Sequence, residues 1–526
     1  MLDFVCKNKK ISVLTSTALS AVVMALCVMF TELAVLEWVA LVPAAVCLYK
    51  ASEWGVTAKC AYLVGLGFFC AYYLMLFHWF LFMYPMDFLG LSNFESVVVV
   101  AFAWLALSFI QAAFSALAPL VFAAASKSPI VKEKKWLMPI LAASLWVLLE
   151  WGLTLTWLGV PWSRLALGQL DMTAAVQSVS LFGSYFITFL IVLINFLIAY
   201  ALLYKKRLAA AVAMCAFAAN LTIGSVLLLA YDEGERITVA AAQGNISSTD
   251  KWNAELFTET FEVYASYAIQ AAEQGAEIVL LPESVVPYVL EEGDTISSFL
   301  SKISDDSDVT LLVGAFSQKE GSEYNSILVF EPDGKMNDTV YSKRRLVPFG
   351  EFLPLEGIIK VIIPPLAEIN AFSSEFTAGT DSPVVQTEKA GLGCLICFDS
   401  IYENLARESV RDGAEIIMLS TNDSWFYDSA ALEMHNNQAR LRAIETRRSV
   451  VRAANTGISS VITPTGKVLD SIGALKKGLI VEDVEINDGL TLYTRTGNVF
   501  VVLCGIFAMS AVATAFVKRK SKGHDE

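Results

Sequence analysis

Residues 221–246, LTIGSVLLLAYDEGERITVAAAQGNI, contain the point at which an apolar chain becomes a charged one. Residues 1–231 include 13 Lys and Arg and 9 Asp and Glu, whereas residues 232–498 include 21 and 41. Over all 526 residues, 56% are hydrophobic, 17% are charged and the net charge is −14. This pattern predicts a membrane domain at 1–231, a soluble domain at 232–488 and a membrane tail with a basic end at 489–526.

Eight apolar stretches, most of them close to the roughly 20 residues that a helix needs to cross a bilayer, are candidate membrane spans. They are residues 11–30, 33–48, 60–85, 97–126, 136–160, 179–204, 208–231 and 499–517. The second stretch is short and contains Glu37, so its bounds are the least certain. Glu150 and His78 are polar residues within the others, and we expect buried hydrogen bonds between helices there rather than a transport function.

The short connections between these stretches differ sharply in charge. One alternating set contains 16 Lys and Arg, and the other contains only Arg164. Because cytoplasmic loops are rich in Lys and Arg, the bias predicts two cytoplasmic termini and an extracytoplasmic acidic domain. The first stretch could instead be a cleaved signal peptide, which would leave the acidic domain on the same side.

The composition also excludes several classes of protein. The acidic balance argues against nucleic-acid binding. The nine cysteines form no disulfide framework, and no paired CxxC motif or His/Cys cluster predicts structural zinc. P-loop and dinucleotide fingerprints are absent. A serine–histidine triad is disfavoured because His435 is the only histidine of the acidic domain and no G-x-S-x-G elbow is present.

Strand patterns alternate with helical patterns in the acidic domain. Helices are predicted within residues 252–274, 405–411 and 432–447. Strands are predicted at 236–245, 277–282, 310–316, 326–330, 339–341, 384–386, 394–398, 415–420, 450–455 and 459–463. Hairpins mixed with crossover helices indicate a layered α/β or α+β sandwich.

Three predicted strand ends in this domain have residues suited to nucleophilic catalysis. Cys397 closes the apolar run of GLGCLICFDS, Glu283 lies in LLPES and Lys343 lies in VYSKRRLVPFGE. A thiol nucleophile needs a proton acceptor and a group that stabilises an oxyanion. We expect Glu283, with a raised pKa, to be the base, and Lys343 to favour both thiolate and oxyanion. Taken singly, Glu283 could instead cap a helix and Lys343 could belong to a solvated basic patch.

Cys394 and Cys397 form the one CxxC motif of the domain. A redox pair or strained disulfide is one interpretation. The other follows from strand geometry, because residues three apart on a strand point to opposite faces. Cys394 would then be a core residue and Cys397 an exposed one.

The order Glu283 in LPES, Lys343 in SKRRLVPFGEFLP and Cys397 in LICFDS resembles the Glu–Lys–Cys triad of the nitrilase superfamily. The segments QGNI, Lys251-Trp252, NDSWF and RAANTGIS also fit this superfamily. The seven predicted spans before the domain, the one after it and the loop GVPWSRLALGQ resemble its membrane-bound branch, the apolipoprotein N-acyltransferases.

This resemblance implies a polytopic α-helical membrane domain joined to a nitrilase-like αββα sandwich. It also implies transfer of an acyl chain from a phospholipid to the α-amino group of the diacylglyceryl-cysteine of an apolipoprotein, the last step of lipoprotein maturation. Cys397 would hold the acyl group as a thioester, Glu283 would be base and acid, and Lys343 would stabilise the oxyanion. Glu351 in PFGE would be a second glutamate lining the site, and Trp252 a tryptophan of a substrate loop.

Two positions depart from the pattern of the branch. Phe398-Asp399 stands where the family commonly has Tyr-Glu, and Tyr427 follows NDSWF where glycine is usual. We expect these changes to affect rate or substrate preference more than the reaction itself.

The resemblance further implies a monomer in the inner membrane of a bacterium, with the catalytic domain on the periplasmic side. No metal or organic cofactor is expected, because thioester exchange is redox-neutral. The partners would be the lipid bilayer, a phospholipid donor and an apolipoprotein acceptor, without nucleic acid. Residues 358–369 would cover the site, dip into the membrane interface or form an ordinary packed loop.

Two other functions stay open at this point. One is a membrane-anchored amidase or nitrilase that hydrolyses a small amide. The other is a transporter or receptor with a nitrilase-like sensing domain, which the complete Glu283, Lys343 and Cys397 set disfavours.

Overall fold

The computed structural model describes residues 9–86, 91–247, 251, 253, 255–357, 376–381 and 383–522. The predictions for Trp252 and for residues 358–369 therefore lie outside the described residues. The chain divides into two compact units. The helical unit comprises residues 1–81, 100–231 and 496–526, and the sandwich unit comprises residues 82–99 and 232–495.

The helical unit consists of helices joined by short connections. Its helices, of which α5 begins in the sandwich unit, are α1 (Lys9–Met29), α2 (Ala34–Ala40), α3 (Val42–Glu53), α4 (Ala58–Leu76), α5 (Asn93–Ser115), α6 (Leu117–Ala125), α7 (Pro129–Glu133), α8 (Leu137–Gly152), α9 (Thr173–Val176), α10 (Val179–Phe182), α11 (Ser184–Tyr204), α12 (Arg207–Leu229) and α18 (Val499–Lys522). Short 3₁₀ turns lie between them at Thr31–Leu33, His78–Met83, Pro161–Ser163 and Leu165–Gln169.

Five helical segments among the described residues are long and apolar enough to cross a membrane. They are Thr31–Glu53, Ala58–Leu76, Asn93–Ala125, Ser184–Tyr204 and Arg207–Leu229. The other three predicted stretches contain shorter apolar helices, at Val13–Met29, Leu137–Gly152 and Val499–Thr514. Several membrane-spanning helices are therefore supported, and the number eight stays a prediction.

Glu150 is held inside the helical unit by three hydrogen bonds. Its Oε1 accepts from the Leu165 amide at 3.0 Å and from Trp146 Nε1 at 3.2 Å. Its Oε2 accepts from the Thr188 hydroxyl at 2.7 Å, which links α8 to α11. The predicted buried hydrogen bond between helices is thus confirmed for Glu150. His78 Nδ1 lies 2.8 Å from the carbonyl oxygen of Met75, one turn earlier.

The segment 159–169, which contains the PW and Gln residues, is buried within the same unit. Gln169 donates from Nε2 to the Ala34 carbonyl at 2.9 Å and accepts from Trp38 Nε1 at 2.8 Å. Arg164 donates from Nη1 to the Ser184 hydroxyl at 2.9 Å. These bonds provide partners for polar side chains that are buried among apolar helices.

The sandwich unit consists of two β-sheets and the helices that cover them. The strands are β1 (Arg236–Gln243), β2 (Ile278–Leu280), β3 (Val286–Val289), β4 (Thr310–Lys319), β5 (Ser322–Phe330), β6 (Tyr341–Ser342), β7 (Val384–Gln386), β8 (Gly391–Ile396), β9 (Ile416–Thr421), β10 (Ser449–Ala454), β11 (Ser459–Ile462), β12 (Val468–Ile472) and β13 (Gly478–Glu485). The helices are α13 (Phe257–Glu273), α14 (Thr295–Ser307), α15 (Glu403–Arg411), α16 (Ala431–Thr446) and α17 (Leu492–Thr496).

Each sheet has parallel strands at its centre and antiparallel strands at its edges. The first has the order β13-β1-β2-β4-β5-β6, with β3 paired to β4, and the second has the order β12-β11-β10-β9-β8-β7. The strand pairs β1–β2, β2–β4, β8–β9 and β9–β10 are parallel. Strands that are buried on both faces read as continuous apolar runs, which explains sequences such as EIVLL and EIIML.

Two layers of apolar side chains hold the sandwich together. Between the sheets, Leu280 and Leu312 of the first sheet pack with Ile396 and Met418 of the second. Outside the first sheet, α13 and α14 bury a separate core that includes Phe261. On the other side, α15 contacts β8 and α16 contacts β10. The predicted αββα sandwich is confirmed.

Candidate active site

Glu283, Lys343 and Cys397 each follow a strand, after β2, β6 and β8 respectively. Strands β2 and β6 belong to the first sheet and β8 to the second, so only the folded sandwich brings the three residues together. The turn that contains Glu283 lies directly against β4. A Cβ atom on Gly314 would stand 2.3 Å from the Pro282 carbonyl oxygen and 2.7 Å from the Glu283 Cα. Glycine at position 314 is therefore required for Glu283 to approach the sheet so closely.

A buried lysine is the centre of the site. Lys343 Nζ lies 3.0 Å from Glu283 Oε1 and 3.0 Å from Glu351 Oε1. Asn325 Nδ2 donates to the same two oxygen atoms, at 2.7 Å and 2.9 Å. All four side chains are at most 6% exposed. We call Glu283, Lys343, Glu351 and Asn325 the lysine cluster.

Two further bonds complete the surroundings of the lysine cluster. Glu351 Oε2 accepts from the Val347 amide at 2.8 Å, which closes the PFGE turn on itself. Lys251 is buried and donates from Nζ to the Glu283 carbonyl oxygen at 2.6 Å. Our sequence analysis did not assign Lys251 or Asn325 to the site. A polar Asn325 in the apolar strand run NSILVF was the available signal for one of them.

The charges of the cluster determine its protonation. Burial raises the pKa of Glu283, but the ammonium groups of Lys343 and Lys251 outweigh burial and hold this pKa below its usual range. Burial lowers the pKa of Lys343, but Glu283 and Glu351 hold it well above its usual range. Burial lowers the pKa of Lys251 to about 8. The predicted raised pKa of Glu283 is therefore wrong, because the strand end holds two cations beside the carboxylate.

Cys397 lies in an unusual backbone conformation at the end of β8. Its φ is +47°, in the left-handed region, and it begins the 3₁₀ turn Cys397–Ile401. Ser284, next to Glu283, and Phe349, near Glu351, also have positive φ values, of 51° and 63°. Such non-glycine residues are uncommon and cluster at functional sites, where the surrounding structure holds the strain.

Cys397 is partly buried as a residue, and its thiol is protonated at neutral pH. Burial raises its pKa most, Glu283 raises it further, and Lys343 lowers it without reversing the change. Lys343 favours the thiolate as expected, but its ammonium does not outweigh burial and the carboxylate of Glu283, which keep the pKa of Cys397 raised. The thiol therefore needs a proton acceptor before it can attack as a thiolate. Among the carboxylates, Glu283 raises the pKa of Cys397 most.

Cys394 lies in the core between the sheets, and both cysteines are free thiols. The disulfide interpretation of the CxxC motif is therefore wrong for this structure. Cys394 is a core residue, as strand geometry predicted. Burial raises its pKa to about 12, so it is a poor nucleophile.

Asp399 connects the cysteine turn to the loop after Lys343. Its Oδ2 accepts from the Tyr341 hydroxyl at 2.8 Å and from the Ile396 amide at 3.1 Å. Its Oδ1 accepts from the amides of Arg344 and Arg345, at 3.2 Å and 2.8 Å. Burial raises the pKa of Asp399 to about 6, although Lys343 and Tyr341 act to lower it. The carboxylate thus fixes the distance between two loops of the site.

A second charged cluster lies on the other side of the cysteine turn. Asp423 Oδ1 bonds to His435 Nδ1 at 2.8 Å, and its Oδ2 accepts from Arg452 Nη2 at 2.6 Å. His435 Nε2 lies 3.0 Å from the Ser400 hydroxyl and 3.2 Å from the Cys397 carbonyl oxygen. We call Asp423, His435 and Arg452 the arginine cluster.

Cys397, Asp423 and His435 also have the residue types of a metal site. Their possible ligand atoms lie within 4.8 Å of one another. However, Arg452 Nη2 already bonds to Asp423 and lies 3.1 Å from His435 Nδ1. The guanidinium would repel a cation and occupies the same acceptors, so this donor set does not fit a metal.

Two other predicted residues have identifiable surroundings. Phe398 is partly buried and packs edge-to-face on Tyr402, with ring centroids 5.6 Å apart. Tyr427, at the position where the family usually has glycine, has φ +45° and ψ −135°. Glycine adopts this conformation without strain, and tyrosine does not.

The sandwich matches a known protein family. The Carbon-nitrogen hydrolase family matches residues 238–489, which defines the sandwich as a nitrilase-like carbon-nitrogen hydrolase fold. The solved Nit3 of Saccharomyces cerevisiae, from branch 10 of the nitrilase superfamily, covers 48% of this chain and 91% of its own, with 20% identity and a TM-score of 0.38.

The helical unit also matches a known protein family. The Apolipoprotein N-acyltransferase N-terminal domain matches residues 20–197. The apolipoprotein N-acyltransferase of Gloeobacter violaceus is 30% identical over 90% of this chain and 88% of its own. That of Geobacter metallireducens is also 30% identical, over 72% of this chain and 74% of its own. The chain belongs to the apolipoprotein N-acyltransferase family.

Proposed function

We propose that this protein transfers a fatty acyl chain from a membrane phospholipid to the α-amino group of the diacylglyceryl-cysteine at the N-terminus of an apolipoprotein. The single observation that supports the proposal most is that the strained Cys397 turn lies beside the buried pair of Glu283 and Lys343. The helical part of the same chain matches the N-terminal domain of the family. Cys397 is the nucleophile, Glu283 the base and acid, and Lys343 the group that stabilises the oxyanion.

The first half-reaction forms a thioester. Glu283 takes the proton of the Cys397 thiol while the sulfur attacks the ester carbonyl carbon of the phospholipid. Lys343 stabilises the negative charge that develops on the carbonyl oxygen. The carbon–oxygen bond then breaks, and Glu283 returns its proton to the leaving alcohol, which departs as lysophospholipid.

The second half-reaction discharges the thioester. The neutral α-amino group of the acceptor attacks the thioester carbon, and Glu283 takes the proton that the nitrogen loses. The carbon–sulfur bond breaks, the thiolate regains a proton from Glu283, and the N-acylated product leaves. Both halves pass through an oxyanion, so Lys343 acts in each.

The remaining charged residues of the site hold these groups in place. Glu351 shares the Lys343 ammonium and so fixes its position against Glu283. Asp399 ties the cysteine turn to the Lys343 loop, and Phe398 packs beside it. By motif, Trp252 contributes to a substrate loop.

The proposed domain organisation gives the site access to both lipids. Residues 1–231 and 489–526 would anchor residues 232–488 at the outer face of a bacterial inner membrane, with both termini cytoplasmic and the chain a monomer. A membrane-impermeant thiol reagent should label Lys319→Cys and not Lys134→Cys in intact cells whose outer membrane is permeable. Cys6, Cys60 and Cys215 are replaced by serine beforehand. Labelling of Lys134→Cys alone would reverse the orientation.

The reaction is tested by separating its halves. With phospholipid alone, the enzyme should release lysophospholipid in an amount equal to the enzyme and then stop, with the acyl group on Cys397. A diacylglyceryl peptide with a free amino terminus should then discharge it, whereas an acetylated peptide should not. Continuous release of free fatty acid without a peptide would favour a hydrolase. Product formed only when both lipids are present, without acyl-enzyme, would exclude the thioester.

A further inference from the structure

An apolar cavity of about 450 Å³, half open to its surroundings, lies in the helical unit. Its walls include Val64 and Phe68 of α4, Ala51 of α3 and Ala142 of α8. Among the described lining residues, Thr17 alone has a hydroxyl, and this group donates to the Val13 carbonyl of its own helix at 2.7 Å. The volume is within the usual range of roughly 300–1,000 Å³ for ligand sites.

The chemistry of the walls restricts what can fill this cavity. A water molecule needs two to four polar partners, which these walls do not supply. An empty space would leave the lining atoms without dispersion contacts on one side. An apolar chain satisfies both conditions, because it needs no hydrogen bonds and restores the contacts.

The cavity extends from the end of the helices near residues 54–56 towards their middle. It is lined by Val13 to Thr17 of α1, by α3 from Ala44 to Ala51, by α4 from Cys60 to Phe69 and by α6 from Ala118 to Phe122. Trp54 and Val56, in the connection from α3 to α4, also line it. This is the end at which the predicted cytoplasmic, lysine-rich connections lie.

Two lysines lie close in sequence to, or in contact with, the lining residues Cys60 and Val56. Lys127 donates from Nζ to the carbonyl oxygen of Val56, a lining residue, at 3.2 Å. Lys59 is exposed and immediately precedes the lining residue Cys60. The acidic Glu53 nearby is already neutralised by Lys50 at 3.0 Å and Lys135 at 3.6 Å. These two ion pairs of Glu53 include neither Lys59 nor Lys127. Glu53 therefore does not neutralise the positive charges of those two lysines.

We infer that the cavity binds one acyl chain of an anionic phospholipid, whose phosphate is bound by Lys59 and Lys127. Basic residues at the membrane surface attract anionic headgroups, and lysine stems lie along apolar surface while their ammonium groups stay in the polar layer. None of the described residues of the sandwich unit lines the cavity. The bound lipid is therefore a resident ligand of the helical unit and is separate from the acyl donor at Cys397.

The inference is tested with the delipidated full chain in detergent, by native mass spectrometry. Dioleoyl phosphatidylglycerol and dioleoyl phosphatidylcholine are compared, because they share acyl chains and differ in net charge. We expect one tightly retained phosphatidylglycerol, with at least tenfold preference over phosphatidylcholine. Equal retention of the two lipids would overturn the role of the lysines.

Variants locate the bound lipid. Val64→Trp should fill the cavity and lower retention at least fivefold, whereas Leu63→Trp, on the exposed face of the same helix, should not. Lys59→Glu with Lys127→Glu should abolish the headgroup preference, whereas Lys205→Glu with Lys206→Glu, in the connection between α11 and α12, should keep it. Equal effects of each variant and its control would overturn the site.

A labelling experiment on the wild type covers the case in which Val64→Trp does not fold. Phosphatidylglycerol with a diazirine at the end of one acyl chain should cross-link to residues 60–69 or 118–122. Cross-links confined to other segments would overturn the assignment. Cys397→Ala should retain the lipid unchanged, so failure of the proposed acyl transfer would not affect this result.

Discussion

The lysine cluster and the arginine cluster are both buried, both join carboxylates to a cation, and both adjoin Cys397. The pKa values of Glu283 and Asp423 are both lowered, and the clusters differ in how far. In the lysine cluster, Glu283 and Glu351 share one ammonium, and the charge of Glu283 acts on the sulfur. In the arginine cluster, Asp423 is bonded to both His435 and Arg452, which hold its pKa far below the usual range although burial opposes them. A carboxylate so strongly stabilised is a poor proton acceptor.

The comparison teaches that proximity to a cysteine does not identify its base. Cys397, His435 and Asp423 have the composition of a cysteine–histidine–aspartate triad. Yet His435 Nε2 faces the Ser400 hydroxyl and the Cys397 carbonyl oxygen, so it holds the backbone of the turn. We therefore expect the lysine cluster to move protons and the arginine cluster to maintain the shape of the turn.

The largest expected effect comes from removing the base. Glu283→Gln keeps the size of the side chain but removes the proton acceptor, and should slow acyl-enzyme formation by about 10²- to 10⁴-fold. His435→Gln should slow it by about tenfold or less, because the imidazole only positions the turn. The burst of lysophospholipid measures both. A larger loss in His435→Gln than in Glu283→Gln would reverse the assignment of the base.

The arginine cluster should matter most for folding. Asp423→Ala leaves the buried Arg452 without its carboxylate, which costs about 3–5 kcal/mol in the free energy of unfolding. Glu351→Gln should cost less, because Lys343 keeps Glu283 as a partner. Thermal unfolding of the purified variants makes the comparison. Equal destabilisation would show that the two clusters contribute to the fold in the same way.

The third prediction concerns pH. Asp399 is ionised above about pH 6, and only then can both its oxygens accept from the four donors around them. Acylation with phospholipid alone should therefore fall as the pH drops through about 6. At higher pH, the Asp399→Asn variant should be acylated several-fold more slowly than the wild type. Its acylation rate should not fall as the pH drops through about 6.

A control separates this loss from unfolding. Because the folded pKa of Asp399 is raised above that of an unfolded aspartate, about 3.9, the folded state binds the proton more strongly between these values. This group therefore stabilises the fold, relative to the unfolded chain, as the pH falls from 6 towards 4. A fall in activity accompanied by a matching fall in melting temperature would contradict the local explanation.

The smallest expected effect is at Tyr427, close to the arginine cluster in sequence. Tyr427→Gly should relieve the strain of its left-handed conformation and raise stability by about 1 kcal/mol, with acylation unchanged. Tyr427→Ala retains a Cβ and should not gain stability. If both variants melt at the temperature of the wild type, the strain is negligible.

The sequence predicted the layers of the sandwich and the residues of the lysine cluster that follow strands. Glu283, Lys343 and Cys397 could be found because each lies within a recognisable local pattern. Asn325 and Lys251 contact Glu283 in the structure but are 42 and 32 residues from it in the sequence. No local sequence pattern could therefore pair them with Glu283. The pKa direction of Glu283 was missed for the same reason, since it depends on these distant charges.

Other differences reflect signals that were present and not used. Helix α14 was missed, although its sequence places Asp294 before an amphipathic run. In the structure, Asp294 Oδ1 accepts from the Ser297 amide at 2.6 Å, an N-cap that such a pattern predicts. Strands β12 and β13 were missed because their exposed polar residues interrupt the apolar pattern. The arginine cluster was missed because its three members join a turn, a helix and a strand.

The pairing of β1 with β13 bears on how such a chain could have arisen. β1 is the first strand of the sandwich and β13 its last, and they run antiparallel from Arg236 opposite Glu485 to Gln243 opposite Gly478. Facing residues in such a ladder are only about 5 Å apart. The segment from β1 to β13 therefore begins and ends at neighbouring points. A gene fragment encoding it could enter a loop between two helices without separating them, as is usual for domain insertions.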